Sequence, residues 1–435
     1  MTRSHPRPGV RFLSPLRDFM RTEASGGVLL VAGAVLALLW VNSPWAASYE
    51  RLWSQSLSVG LGDHVLRLSL RQWLNEGLMT IFFFVVGLEI KRELVVGHLK
   101  TKRAAVLPIF AALGGMIVPA VVYLAIAGGS APRGWAIPMA TDIALAVGVL
   151  AVVGDRVPSS LRAFLLALAI VDDIGAIVII ALVYSSGIGW AWLLAAVALL
   201  VCTRVARQFD VQATWLYFAL GVVVWLALHE AGVHPTLAGV AMGLLAPATA
   251  RLSPELVDAE ELADVSSLEA VFATTEIARS SVSVVEWLQY ALHPWTSYVI
   301  VPLFAFANSG IVVSASGVSD ALKSPVFWGV FVGLVAGKPF GVLLAPSVVQ
   351  RFDFADGLAS SARQRIGIGA AAGIGFTVAL FITELALTDV PLRSHAKLAI
   401  LLASAVAAGL SLVLLRTTRL IASEGIDGRS RSESS

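Results

Sequence analysis

The chain has 435 residues, of which 57% are hydrophobic and only 14% charged. With a mean hydropathy of +0.82 it is too apolar for a soluble globular protein and reads as an integral membrane protein. The formal net charge of +2 points to no partner, because in such a chain the distribution of Lys and Arg matters more than their sum.

Residues 1–23 are basic and polar and predict a cytoplasmic tail. Runs long enough to cross a bilayer, about 20 residues each, follow at 24–44, 72–97, 103–128, 134–154, 160–184, 189–206, 213–230, 232–248, 292–314, 325–349, 365–386 and 395–416. The first run ends at Asn42-Ser43-Pro44 without an A-x-A-like cleavage site and is read as a retained span. About twelve spans make an all-α membrane domain over 24–416 with both termini on one side. Arg51, Arg67, Arg71, Arg133, Lys323, Arg393 and Lys397 fall on the opposite side. Every other Lys and Arg except Lys338 falls on the side of the termini, which the positive-inside rule makes cytoplasmic.

Two connections stand out. In the periplasmic stretch 45–71, the segment LSVGLGDHVLRLSL alternates apolar and polar residues about Gly62-Asp63, which predicts a small β-hairpin. Its unpaired edges invite pairing with a second copy. The acidic, polar stretch 249–286 predicts a solvated cytoplasmic loop, and 417–435 a cytoplasmic tail. The single cysteine, Cys202, lies in a span and excludes an intramolecular disulfide or a cysteine metal cluster.

The charges inside the spans carry the chemistry. Asp172 and Asp173 sit in the middle of the fifth run, Asp142 in the fourth and Lys338 in the tenth. Each such charge at the centre of a bilayer costs about 3 kcal/mol, which makes an ion or proton pathway the default reading. Adjacent helical residues point about 100 degrees apart, so one aspartate can face a water-filled cavity while the other meets a neighbouring helix, where Lys338 is the available cation. Burial brings protonation changes of such groups into the physiological range. A salt-bridge network that only locks helices together is the weaker reading, since buried charge pairs add little stability.

Pro138 precedes Asp142 by one helical turn, and Gly367, Gly369, Gly373 and Gly375 crowd the first half of the eleventh run. Such interruptions in two halves of a transporter point to broken helices around a midplane ion site. Spans 3–5 and 10–12 are offset by an odd number and would form inverted repeats. Two positive helix N-termini and two negative C-termini would then meet, and Asp142 and Lys338 have the signs to neutralise them. For the glycines alone, close helix packing is an equal explanation.

Thr141, Asp142, Asp172 and Asp173 are rich in hard oxygen donors that suit a hard cation. There is neither a P-loop nor a Cys/His cluster, so the reading has no cofactor, no enzymatic step and no nucleic-acid partner. Transport driven by an ion gradient follows. If two carboxylates must lose protons before one monovalent cation binds, the exchange is electrogenic.

ATDIALAVGVL, LALAIVDDIGAI and AGKPFGV, with FFFVVGLEIKREL, GVHPTLAGV, LHPWTSYVIVPLFAFANSG and AAGIGFTVALFIT, resemble the NhaA-type bacterial sodium/proton antiporters in order from about residue 20 to 415. The resemblance implies twelve helices with crossed, interrupted fourth and eleventh spans, and a homodimer joined through the hairpin in the lipid of the bacterial inner membrane. It implies exchange of cytoplasmic sodium or lithium for external protons, in sodium and pH homeostasis. By the same resemblance Asp172 and Asp173 carry cation and protons, with sodium at Asp172, Asp173 and Thr141. Thr141 and Asp142 lie at the crossing, and Lys338 pairs with Asp172 and releases it. Glu89, Lys91, Arg92 and Glu93 match a pH-responsive cluster, and His234 and His293 match histidines associated with pH response, a role their unperturbed pKa allows. Gln289 and Tyr290 replace an acidic and histidine pair, and Glu76 replaces an aspartate, which shifts or blunts the expected pH profile.

Two other classes compete. A sodium-coupled organic-anion symporter shares broken helices and inverted repeats but needs room and polar contacts for a solute. A channel would line a continuous pore with its charges.

Overall fold

The computed structural model describes residues 13–417 apart from 62–63, 186, 210–213, 250–281 and 351–360. A helix inside lipid satisfies its own backbone, so the apolar runs become helices and the polar connections become turns. The passes, numbered in order, are Leu13–Val41, Trp73–Leu78 with Met79–Val95, Lys102–Ala127, Pro132–Val153, Ser159–Val183 and Trp190–Gln208. Passes seven to twelve are Thr214–Glu230, Thr236–Leu245, Val284–Asn308, Pro325–Gln350, Ala362–Ala386 and Val390–Arg416. Among the described residues these helical segments fall at the twelve apolar runs of an all-α membrane protein, and six of them are long and apolar enough to cross a bilayer, or up to eight if each bent pair is taken as one span.

Several boundaries differ from the hydropathy pattern. Pass one begins at Leu13, inside the expected tail, because Pro15 suits a first helical turn and no breaker separates it from the apolar run. Pass nine begins at Val284, inside the expected loop. There Ser283 accepts from the Glu286 N–H at 3.2 Å and the Glu286 carboxylate accepts from the Ser283 N–H at 3.4 Å, a capping box. Most of the acidic loop, 250–281, lies outside the described residues, as do residues 1–12 and the C-terminal tail from 418. Pass eight has only ten residues, about 15 Å of helix. It follows a tight turn at Gly232, whose φ of 71° few other residues adopt.

The expected hairpin is present. Strands β1 (Ser56–Leu61) and β2 (His64–Ser69) pair antiparallel from Ser56 opposite Ser69 to Leu61 opposite His64. Leu68 is buried against passes six to eight, while Leu57, Val59 and Val65 are exposed. Tyr49, on the short helix Ala46–Ser54 that precedes β1, donates its hydroxyl to the carbonyls of Phe306 and Ala307 and ties that corner to pass nine.

Passes three and ten form the closest crossing near the site. A Cβ on Gly114 would collide with the carbonyl oxygen of Gly341, and a Cβ on Gly341 with that of Gly114. This reciprocal contact is what a two-fold relation between passes 3–5 and 10–12 requires. Pro119 lies beside Gly337 and Pro138 beside Gly333, where pass ten widens into a π turn just before Lys338-Pro339. Proline has no N–H to give to the preceding turn, so the helix is loosened at that point.

Gly341→Val is therefore expected to separate passes three and ten and to lower the yield of monodisperse protein on size exclusion. Gly409→Ala has open space around it and gains helix propensity of about 1 kcal/mol, so its yield and melting temperature match or exceed wild type.

Candidate functional site

Passes four and eleven are both broken at the level where they cross. Pass four runs as a 3₁₀ helix, Pro132–Met139, then three extended residues, then the α-helix Ile143–Val153. Pass eleven runs as Ala362–Ala372, a break at 373–375, then Phe376–Ala386, with a bend of 42°. Gly373 and Gly375 let the break pack closely on pass ten, because a Cβ on either would press into Leu334. Two helix N-termini and two C-termini are thus brought together, with their loose N–H and C=O groups away from water.

Asp142 serves both N-termini. Its Oδ1 accepts from the N–H of Leu145 in its own helix at 3.0 Å. Its Oδ2 accepts from the N–H of Thr377 at 2.9 Å and from the Thr377 hydroxyl at 2.6 Å. Its own N–H donates to the carbonyl of Ile374 in the break of pass eleven, at 2.6 Å. One carboxylate, only 1% exposed, therefore caps two helices and fastens them to each other.

Lys338 and Thr141 serve the C-termini. The Lys338 ammonium, with no exposure at all, donates to the carbonyl of Met139, the last residue of the 3₁₀ half-helix. The same ammonium lies 2.8 Å from Asp172 Oδ2. Thr141 donates to Asp172 Oδ2 at 2.6 Å, and Ala372 O, at the end of the first half of pass eleven, is an alternative acceptor at 3.0 Å.

The aspartate pair diverges as helical geometry demands. Asp172 points toward pass ten, where Oδ2 is held by Lys338 and Thr141 and Oδ1 is buried without a hydrogen-bond partner. Asp173 points into a cavity of about 600 Å³, counting its open mouth. Thr141, Asp142 and Thr377 share that cavity with it, and Glu89 and His293 line its wall. Among the described residues no Lys or Arg lines it.

The structure thus gathers Thr141, Asp142, Asp172, Asp173 and Lys338 at one point and adds Thr377. Glu93 and Lys91 are half-buried and Arg92 is exposed, one turn beyond Glu89. His234 and Glu76 stand apart from the cavity. His234 is hydrogen-bonded to Thr236 at 2.7 Å and lies edge-on to Phe381. Glu76 occupies the π turn at the hairpin end of pass two, 3.1 Å from His229. Tyr290 is exposed, at 85%, on the surface of pass nine. Sequence reasoning missed Thr377, whose only signal is a hydroxyl directly after the G-I-G break. It also missed a buried group of charges, Glu384, Arg393 and Lys397, at the far end of pass eleven.

Removing one member of a buried ion pair costs about 3–5 kcal/mol, whereas neutralising both members is often tolerated. Lys338→Met is expected to lower the melting temperature of the detergent-purified protein. Adding Asp172→Asn to it restores most of that loss without restoring ion exchange.

The sequence model of the family described as Na+/H+ antiporter 1 matches residues 17–415. The chain is 43% identical to a Na(+)/H(+) antiporter NhaA of Oleidesulfovibrio alaskensis, over 94% of this chain and 95% of that protein. It is also 43% identical to a Na(+)/H(+) antiporter NhaA 2 of Myxococcus xanthus, over 92% of this chain and 89% of that one. A Na(+)/H(+) antiporter NhaA of Rhodopirellula baltica shares 43% identity over 94% and 95% of the two chains.

Proposed function

The chain belongs to the Na+/H+ antiporter 1 family and is a multi-pass membrane sodium/proton antiporter, and from that premise we propose that Asp173 and Asp172 carry the exchanged ions. The observation that supports this most directly is the division of labour between adjacent carboxylates. Asp173 lines an open cavity, and Asp172 is held behind it by Lys338 and Thr141. A sodium or lithium ion entering the cavity meets the Asp173 carboxylate before that of Asp172. Thr141 is the hydroxyl shared by the cavity and Asp172, so it can turn toward the ion as Asp172 is released from Lys338. Asp142 and Lys338 hold the broken helix ends in place while this happens. When the site turns to the other face, protons on the two carboxylates displace the cation.

Two protons for one monovalent cation make the cycle electrogenic, so membrane potential as well as the proton gradient drives extrusion of sodium. The Lys and Arg asymmetry supports cytoplasmic termini and, with the family's bacterial relatives, an inner-membrane location. The cavity then opens on the cytoplasmic side, where Glu89 and His293 line it and Glu93 and Arg92 follow on the same helix end. These groups form the pH-responsive entrance, and His234 and Glu76 act from outside the cavity. The exposed Leu57, Val59 and Val65 of the periplasmic hairpin form part of the contact of a homodimer whose helices sit in the lipid bilayer. An organic-anion symporter is disfavoured because three acids, Glu89, Asp142 and Asp173, line the cavity and, among the described residues, no Lys or Arg there would hold an anion.

In everted membrane vesicles, sodium or lithium is expected to alkalinise the acidified lumen, and Asp173→Asn and Asp172→Asn each abolish the response. A full response in Asp173→Asn would overturn the assignment of the carriers. In proteoliposomes without a pH gradient, an imposed potential is expected to drive sodium-dependent proton movement, and its absence would show electroneutral exchange. Deleting 56–69 is expected to convert a dimer into a monomer on native electrophoresis.

A further inference from the structure

Glu384, Lys397 and Arg393 form a second, largely buried group of charges, with Arg393 at its half-buried edge, which the exchange described above does not use. Glu384 is on the last turn of Phe376–Ala386, and its partners are on the first turns of pass twelve. Lys397 Nζ lies 2.6 Å from Glu384 Oε1, and Arg393 Nη1 lies 3.1 Å from Oε2. The side chains of Glu384 and Lys397 are only 13% and 10% exposed. Arg393 also donates through Nε to the carbonyl of Leu387 at 2.9 Å and through Nη2 to that of Thr388 at 3.2 Å. It thereby caps the C-terminal end of the half-helix whose N-terminal end is held by Asp142.

Between these two ends the half-helix is almost wholly buried among apolar side chains. Close apolar packing limits how far such a rod slides along its axis, and directional contacts at its ends fix its register more finely. Among the described residues its middle makes ring contacts, of Phe381 with Phe83, His234 and Phe304, while its hydrogen bonds and ion pairs to other elements are at its ends. Thr377 and Glu384 are seven residues apart, about 10 Å along one rigid helix, so a displacement at Glu384 reaches Thr377 undiminished. Buried charges are a weak source of stability, and a group of three held at this place calls for another role.

We propose that Glu384, gripped by Lys397 and Arg393, is a positioning residue that sets the axial register of the second half of pass eleven. It thereby keeps the N–H and hydroxyl of Thr377 on Asp142 and tunes the apparent sodium affinity of the neighbouring Asp173. This inference rests on the assignment of the cation site to the crossing.

Sodium-dependent exchange in everted vesicles, with apparent KM and maximal rate separated, tests it in Glu384→Asp, Glu384→Gln and Lys397→Arg, alongside thermal unfolding of the purified proteins. Glu384→Asp keeps the charge but shortens the link by one bond, about 1.5 Å. The expected result is an apparent KM for sodium raised about tenfold, with maximal rate and melting temperature near wild type. Lys397→Arg, which keeps the charge at a different length, raises KM in the same direction and covers the case in which Glu384→Asp does not accumulate. Wild-type KM in the variants that accumulate, or activity that falls only in step with the amount of folded protein, would overturn the inference and leave the cation site standing, provided that Asp173→Asn is inactive. An active Asp173→Asn would overturn both.

Discussion

The site depends on one constraint, that backbone polar groups inside a bilayer must find partners within the protein. Breaking passes four and eleven at the same level creates four loose helix ends where water is scarce. Asp142 answers the two N-termini, and Lys338 and Thr141 answer the C-termini. Residues that would be costly if alone become the means by which the broken helices are held. The crossing is therefore both a structural joint and a charged centre.

The same joint explains why the adjacent aspartates differ in their surroundings. Lys338 is committed to the carbonyl of Met139, which fixes its ammonium beside pass five at the height of Asp172. Asp173, turned by one residue of helical rotation, is left facing the cavity. A pair identical in composition thus becomes one held carboxylate and one that lines the cavity. In the proposed exchange that inequality lets one carboxylate meet an entering ion while Lys338 and Thr141 hold the other. The close approach of Gly114 and Gly341 allows passes three and ten to bring Lys338 within reach.

Much of this was legible in the chain. The period and length of the apolar runs showed the helices, because a bilayer imposes a length on every pass. The hairpin was legible at Ser56–Ser69 because alternation about a Gly-containing turn is a local signal. Boundaries were less legible. Pass nine starts at Val284 by virtue of a cap that hydropathy does not weigh, and pass one extends back to Leu13 through polar residues that helix propensity tolerates. Glu384, Arg393 and Lys397 read as ordinary charges near span ends, and only folding shows that they converge in the interior.

By itself the sequence determined that this is a membrane protein and which passes carry charge, and it pointed to the two that carry the breaks, since each follows from residue types along the chain. The tertiary structure decided which aspartate meets Lys338, which one meets the cavity, and that Thr377 completes the cap on Asp142. Those facts depend on the rotation of helices about their axes and on contacts across more than two hundred residues, such as the 235 between Asp142 and Thr377. Spacing along the chain does not encode such contacts, because only close packing of separate helices brings the partners into range.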